Sequence, residues 1–210
     1  LAGGAARRRA DGGARLSNVV FMGMGEPLLN VAEVSRAVEI LLSQYGFGLS
    51  GKRVTVSTAG ILPEMAAMAR RYPVSFAVSV NAASDGVRSR LMPVNRKYPL
   101  RGLIAAMRRI PLQSGRKVTA EYVLLEGVND APEDAEALGR LLRGARIKVN
   151  LIPFNPHEEA GFRAPAPAAV DRFRAILLGL GIQTITRERR GGDIRAACGQ
   201  LRAARGGKRS

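Results

Sequence analysis

The sequence predicts an α/β fold: a parallel sheet with helices packed outside it. Two observations lead there. From Asn18 onward, short β-branched runs alternate with amphipathic helical stretches, and such alternation is the mark of consecutive βαβ units. Most of the runs also end in polar turns containing glycine or proline. VVFM runs into GMGEP, VTVS into TAGI, FAVSV into NAASD and NLIPF into NPHEE. The sheet is either doubly wound or closed toward a barrel. In a parallel barrel these C-terminal strand ends share one rim, where active sites sit. No internal repeat is visible beyond the βα unit.

Taken in order, the candidate strands are NVVFM (18–22), KRVTVS (52–57), VSFAVSV (74–80), KVTAEYVLL (117–125), KVNLIPF (148–154) and IQTITRE (182–188). Each is rich in valine, isoleucine or threonine, which suit a pleated surface. Between them, apolar residues recur at helical spacing near 31–44, 62–71, 99–110, 132–143 and 167–179. Pro132 followed by Glu133 and Asp134 is a good helix start. Proline suits the first turn, and acids suit the positive end of the dipole.

A chain of 210 residues with 46% hydrophobic content can bury a substantial core as one domain. The segment 1–17 reads as basic, glycine-rich and flexible, and 202–210 as a second basic tail. The domain proper is expected over 18–201. The chain opens on Leu1, and an upstream segment is expected to be missing. No apolar run approaches a membrane span and no signal-peptide pattern is present. Cys198 is the single cysteine. One cysteine excludes an internal disulfide and a multi-cysteine metal site, and it fits a reducing, cytoplasmic setting. The net charge of +16 points to a polyanionic partner, most simply nucleic acid. Nucleotide bias in the genome would give the same surplus of arginine, so charge alone leaves both readings open.

The polar strand ends carry the candidate chemistry. In GMGEP, two glycines let a ligand approach the backbone, and Glu26 places a carboxylate at the rim, suited to an ammonium group. The stretch is neither a dinucleotide fingerprint nor a phosphate loop, and an ordinary tight turn explains it equally well. Ser57, and Ser79 with Asn81, stand at the next two strand ends. They can bind sugar hydroxyls or a carboxylate, but Ser57 can also cap the following helix, and Asn81 and Asp85 can simply make turns. MPVNRKYPL combines Asn95, Arg96, Lys97 and Tyr98, a mixture suited to RNA or to a solvated loop. Asn155, between Phe154 and Pro156, can donate to and accept from an adenine or ribose. His157 is the only histidine and reads as a loop residue. In RGGDIRAACGQL, Asp193 can cap a short helix beginning at Ile194, which would favour a Cys198 thiolate beside Arg195. A small buried hydrophobe is the plainer reading of Cys198.

Together and in this order, VVFMGMGEPLLN, VTVSTAGI, FAVSVNAASD, MPVNRKYPL, EYVLLEGVND, NLIPFNP and GGDIRAACGQL resemble the radical S-adenosylmethionine family that methylates adenosine in ribosomal and transfer RNA. The resemblance runs from about Asn18 to Leu201. It implies a partial parallel (β/α)6 TIM-like barrel of the radical SAM type that lacks its first strand. Gly25 and Glu26 match the turn that grips the amino group of S-adenosylmethionine, and Ser57 matches a further contact to it. Ser79, Val80 and Asn81 match a strand-end triplet at the same cofactor, and Asn155 an asparagine at its nucleoside side. Cys198 matches the cysteine that becomes S-methylated.

The chemistry implied by the resemblance explains a thiol. Carbon 2 of adenine is electron-poor and cannot attack a sulfonium methyl, whereas a thiolate can. The methylated cysteine then becomes the radical that adds to the base. The resemblance also implies a 4Fe–4S cluster, 23S rRNA and tRNA as substrates, a flavodoxin or ferredoxin as electron donor, and a cytoplasmic monomer.

The sequence departs from the family pattern at three points. The cluster-binding CxxxCxxC and the strand before it are not in this chain, the second, resolving cysteine is absent, and Asn81 stands where many members have histidine. No metal ligands are therefore assigned here, and this polypeptide alone is expected not to turn over. Two other readings stand beside this one: a related enzyme that methylates carbon 8, which the same motifs fit, and a non-catalytic RNA-binding remnant.

Overall fold

The computed structural model describes residues 16–23, 25–156 and 161–187. Its centre is a sheet of six strands: β1 (Val19–Phe21), β2 (Val54–Thr58), β3 (Ser75–Ser79), β4 (Val118–Leu124), β5 (Ile147–Pro153) and β6 (Thr184–Thr186). Every neighbouring pair is parallel, and the spatial order equals the chain order. That order settles the alternative left open by the sequence. A doubly wound sheet reverses direction at a switch point, and this one does not. Right-handed crossovers in unbroken succession place their helices on one side, leaving an open barrel arc.

The crossovers carry α1 (Val31–Leu42), α2 (Leu62–Arg71), α3 (Asp85–Leu91), α4 (Leu100–Arg109), α5 (Pro132–Leu142) and α6 (Pro167–Gly179). All five helices expected from periodicity form, with ends within a few residues. The sixth, α3, is a segment the sequence reads as a turn. It has only seven residues, too few to show a helical period. Its start is set by Ser84, whose hydroxyl accepts the Val87 amide at 3.4 Å. The strand expected over 52–57 begins later, because Gly51–Arg53 forms a 3-10 turn. At α5, Pro132 occupies the first turn as expected, and the Asp134 carboxylate accepts the Ala131 amide at 3.3 Å.

Strand alternation divides the sheet into two faces. One face carries Val54, Val56, Phe76, Val78, Val118, Ala120, Tyr122, Leu124, Ile147, Val149 and Leu151, all buried in one cluster with apolar residues of the helices. The opposite, concave face carries Thr55, Ser57, Ser79, Glu121 and Asn150. Parallel strands buried on both faces are normally apolar throughout, so this polar face is the conspicuous exception.

The rim at the C-terminal strand ends is braced from below by Arg88 of α3, which is 0% exposed. Its Nε donates to the Val80 carbonyl at 2.9 Å. One terminal nitrogen donates to Asn95 Oδ1 at 2.9 Å and to the Tyr98 carbonyl at 3.5 Å. The other donates to the Ala59 and Ser79 carbonyls, both at 2.9 Å. These contacts match the five donors of a guanidinium. Asn95 is buried too, donating to Asp85 Oδ1 at 2.9 Å and to Ser89 Oγ at 2.8 Å. The MPVNRKYPL segment is thus partly a buried bracket rather than a wholly solvated loop. Only Arg96 and Lys97 in it are exposed basic groups.

A second brace is Asn129, 1% exposed. It accepts the Leu125 amide and donates to the Asn81 and Val123 carbonyls, each at 2.8 Å. Burial lowers the Arg88 pKa to about 10, with Asp85 partly offsetting the shift, so the guanidinium stays charged at neutral pH. Replacing it with methionine keeps the length and strands several buried carbonyls. Arg88→Met is expected to cost about 3 kcal/mol or more, read as a lower urea midpoint.

Candidate functional site

The site is built at the strand ends. After β1 the chain turns through Gly23 and Gly25. Gly25 has φ +97°, and a Cβ added there would meet nothing within 4 Å. The position needs glycine for its backbone and leaves open space where a ligand can approach. Glu26 follows, half-buried. One of its oxygens accepts the Leu28 amide at 3.0 Å, and the other accepts the Ala59 amide at 2.7 Å. Ala59 therefore ties two groups together. Its N–H holds Glu26, and its carbonyl is held by Arg88. The carboxylate is anchored across the ends of β1 and β2 before any ligand arrives.

Ser57, near the end of β2, does not cap α2. That helix begins after Ile61 without a side-chain cap. The Ser57 hydroxyl instead donates to Glu121 Oε2 at 3.0 Å, across the intervening strand β3. Ser79 sits on the same concave face with its side chain half-exposed and its carbonyl held by Arg88. Val80 is 0% exposed. Its amide donates to the Glu121 carbonyl and its own carbonyl accepts from Arg88, so it shapes the rim through its backbone.

Asn81 adopts the left-handed conformation, φ 56°, which asparagine tolerates better than most residues. Its Oδ1 accepts the Val123 amide at 2.9 Å and its Nδ2 lies 3.2 Å from Met92 Sδ. Both ends of this side chain are already engaged with the protein. Asn155 follows β5, half-buried, with its amide making no hydrogen bond among the described residues. Phe154 beside it meets Phe162 edge-on at 6.3 Å. Gly25, Glu26, Ser57, Ser79, Asn81 and Asn155 thus lie along one set of strand ends. Cys198 and His157 lie outside the described residues.

Sequence reasoning missed Glu121, although EYVLL was in plain view. Its neighbours alternate so that Ala120 and Tyr122 face the helices and Glu121 faces the concave side. A charged residue in the middle of a parallel strand was the available signal. Glu121 is 6% exposed. Burial raises its pKa, opposed by the Ser57 hydrogen bond, by the charge of Arg187 and by a hydrogen bond from Asn150. Glu26 and Glu121 thus put two carboxylates on the concave side of a chain whose net charge is +16. That arrangement suits a ligand carrying positive charge and hydroxyl donors. S-adenosylmethionine, with its sulfonium, ammonium and ribose hydroxyls, fits it. A 4Fe–4S cluster does not fit these residues. Such clusters are held by several cysteine thiolates, the chain has one cysteine, and no group of three potential metal ligands occurs among the described residues.

An open parallel barrel with its polar residues gathered at the C-terminal strand ends defines an α/β ligand-binding domain of the barrel class. The chain belongs to the radical SAM superfamily, whose family model matches residues 5–142. Within it, the chain is similar to the dual-specificity RNA methyltransferase RlmN of Anaeromyxobacter dehalogenans, at 52% identity over 197 residues, covering 94% of this chain and 53% of that protein. The RlmN of Geobacter sulfurreducens is 55% identical over 185 residues, covering 88% and 51%. The crystal structure of a radical SAM methyltransferase from Sphaerobacter thermophilus superposes with a TM-score of 0.85 at 47% identity, over 94% of this chain and 58% of that one. A domain of pyruvate-formate lyase-activating enzyme from Bacteroides vulgatus shares the fold at TM-score 0.63 and 16% identity, over 82% of this chain and 99% of that one. The chain spans about half the length of the curated relatives it matches.

The environment of Glu121 has a pH signature. A carboxyl whose pKa rises on folding binds protons better folded than unfolded. Its ionised form therefore weakens folding above the folded-state pKa, and the penalty vanishes below the ordinary value of 4.5. Glu121→Gln is expected to raise the urea midpoint at neutral pH, with the difference closing as pH falls through the raised folded-state value toward 4.5. Equal midpoints at pH 7 would show that Ser57, Asn150 and Arg187 fully offset the burial.

Proposed function

We propose that this chain is the S-adenosylmethionine-binding and methyl-carrying portion of an RNA methyltransferase that modifies carbon 2 of adenosine in 23S rRNA and tRNA. The observation that supports it best is the convergence of Glu26, Ser57 and Ser79 on one rim, together with about 50% identity to relatives named as dual-specificity RNA methyltransferases. When bound, S-adenosylmethionine supplies the methyl group and the radical-forming carbon of the reaction. The open backbone at Gly25 admits its amino-acid end, where the anchored Glu26 carboxylate receives the ammonium. Ser57 and Ser79 receive the ribose side. Val80 and Asn81 hold the β3 end in shape, and Asn155 addresses the nucleoside. Cys198, which matches the cysteine that becomes S-methylated in the family this chain resembles, accepts the methyl group on sulfur.

The cluster thiolates must come from residues other than these, since one cysteine cannot both carry a methyl group and ligate iron. On this reading the 210 residues by themselves do not turn over. The net charge of +16 suits an RNA partner. The expected setting is a cytoplasmic monomer supplied with electrons by a flavodoxin or ferredoxin.

The test has two arms. Calorimetry of the chain with S-adenosylhomocysteine is expected to show one site per chain, weakened at least tenfold in Glu26→Gln, because a charge-assisted contact is lost. Reconstitution with iron, sulfide and reductant is expected to give no RNA methylation. Methylated RNA from this polypeptide would overturn the reading. In RNA from cells carrying the gene, nucleoside mass spectrometry is expected to find 2-methyladenosine; 8-methyladenosine would assign the resistance-type chemistry instead.

A further inference from the structure

The contact between Ser57 and Glu121 is not accounted for by packing. The two residues stand on β2 and β4, with β3 between them, 64 positions apart in sequence. Neighbouring strands lie about 4.8 Å apart, so the contact spans roughly twice that. Ser57 is in register with Ala77, and Ser79 with Glu121. The residue level with Ser57 on β3 is the small Ala77, and the long Glu121 side chain, starting level with Ser79, closes the gap so that Oγ and Oε2 meet at 3.0 Å. Burial at 6% exposure makes a carboxylate an expensive choice here. A residue kept against stability inside a ligand-facing surface is a candidate for function.

The chemistry of the contact is directional. A serine hydroxyl has one proton and two lone pairs. An ionised carboxylate only accepts, so in the ionised form that Arg187 and Asn150 favour, the Ser57 proton is committed to Glu121. What Ser57 offers the concave side is lone pairs alone. We infer that Glu121 is a positioning residue that fixes Ser57 as a pure hydrogen-bond acceptor, so that the β2 strand end selects a ligand hydroxyl or ammonium and does not serve a ligand carboxylate. This deepens the reading of the rim as an S-adenosylmethionine site and rests on it. Without Glu121, the Ser57 hydroxyl rotates freely and can present its proton, which misdirects it for a ribose hydroxyl. Asn150 from β5 and Arg187 beyond β6 also face Glu121. They help hold the ionised form in place.

The test is a double-mutant cycle read by calorimetry with S-adenosylhomocysteine on the full chain, with a urea midpoint for each variant. Ser57→Ala and Glu121→Met are each expected to weaken binding about tenfold. The double variant is expected to bind no worse than Ser57→Ala, because Glu121 acts through Ser57. Glu121→Gln, which keeps an acceptor oxygen, is expected to stay within about twofold of the natural chain, although it is the more stable protein at neutral pH. If Glu121→Met fails to fold, Ala77→Val, which crowds the path between the two side chains, is expected to give the same loss. Additive losses, or Glu121→Met (or Ala77→Val in its place) binding like the natural chain, would overturn the positioning role while leaving the site intact. Absence of binding by the natural chain would overturn both.

Discussion

The guanidinium of Arg88 is the part on which the rest of the rim depends. It is wholly buried, and its donors meet the carbonyls that close β2 and β3, the Tyr98 carbonyl and the Asn95 side chain. Strand ends that line a binding rim cannot pair with a neighbour there, because the chain is leaving the sheet. Their carbonyls would be buried without partners, at a cost of about 1–3 kcal/mol each. A single planar fork answers several of them and fixes their relative positions. The constraint passes on through Ala59 to Glu26, whose carboxylate takes its orientation from that same peptide segment.

The second consequence is electrostatic. The chain as a whole repels cations, yet its concave face gathers Glu26 and Glu121. The two carboxylates are held differently. Glu26 is gripped by backbone amides and stays half-exposed. Glu121 is deep, raised in pKa by burial, and committed to Ser57. One carboxylate is therefore left partly open at the strand ends, and the other is turned onto a neighbouring hydroxyl. The basic surplus is left for the outside, where exposed pairs such as Arg163 with Glu126 contribute little to stability.

The same fold is shared by a domain of pyruvate-formate lyase-activating enzyme at 16% identity. An open parallel arc presents strand ends to any ligand. The particular polar residues on those ends, and the braces beneath them, define the chemistry. Within the described residues, much of MPVNRKYPL and EYVLLEGVND serves as bracing: Asn95 under Arg88, and Asn129 under Asn81 and β4. Residues that look like an RNA-binding loop in the sequence are in part the supports of the strand-end rim.

The sequence by itself determined the α/β class, the succession of strands along the chain with five of the helices between them, and the polar character of the strand ends. These follow from periodicities of 2 and about 3.6 residues, which local steric preference writes into neighbouring positions. Its family resemblance also placed Glu26, Ser57 and Ser79 together. Periodicity alone did not separate a barrel from a doubly wound sheet, because strand order depends on pairing between distant segments; the family resemblance pointed to the partial barrel that the structure has. The sequence did not distinguish Asn81 as a ligand contact from Asn81 as a strap across to Val123. Nor did it mark Arg88 as buried, since an arginine in SDGVRSR looks like any surface helix residue. The pairing of Ser57 with Glu121 was decided by the tertiary structure alone: only the register of β2, β3 and β4 sets the Ser57 hydroxyl within reach of a carboxylate two positions beyond its own row.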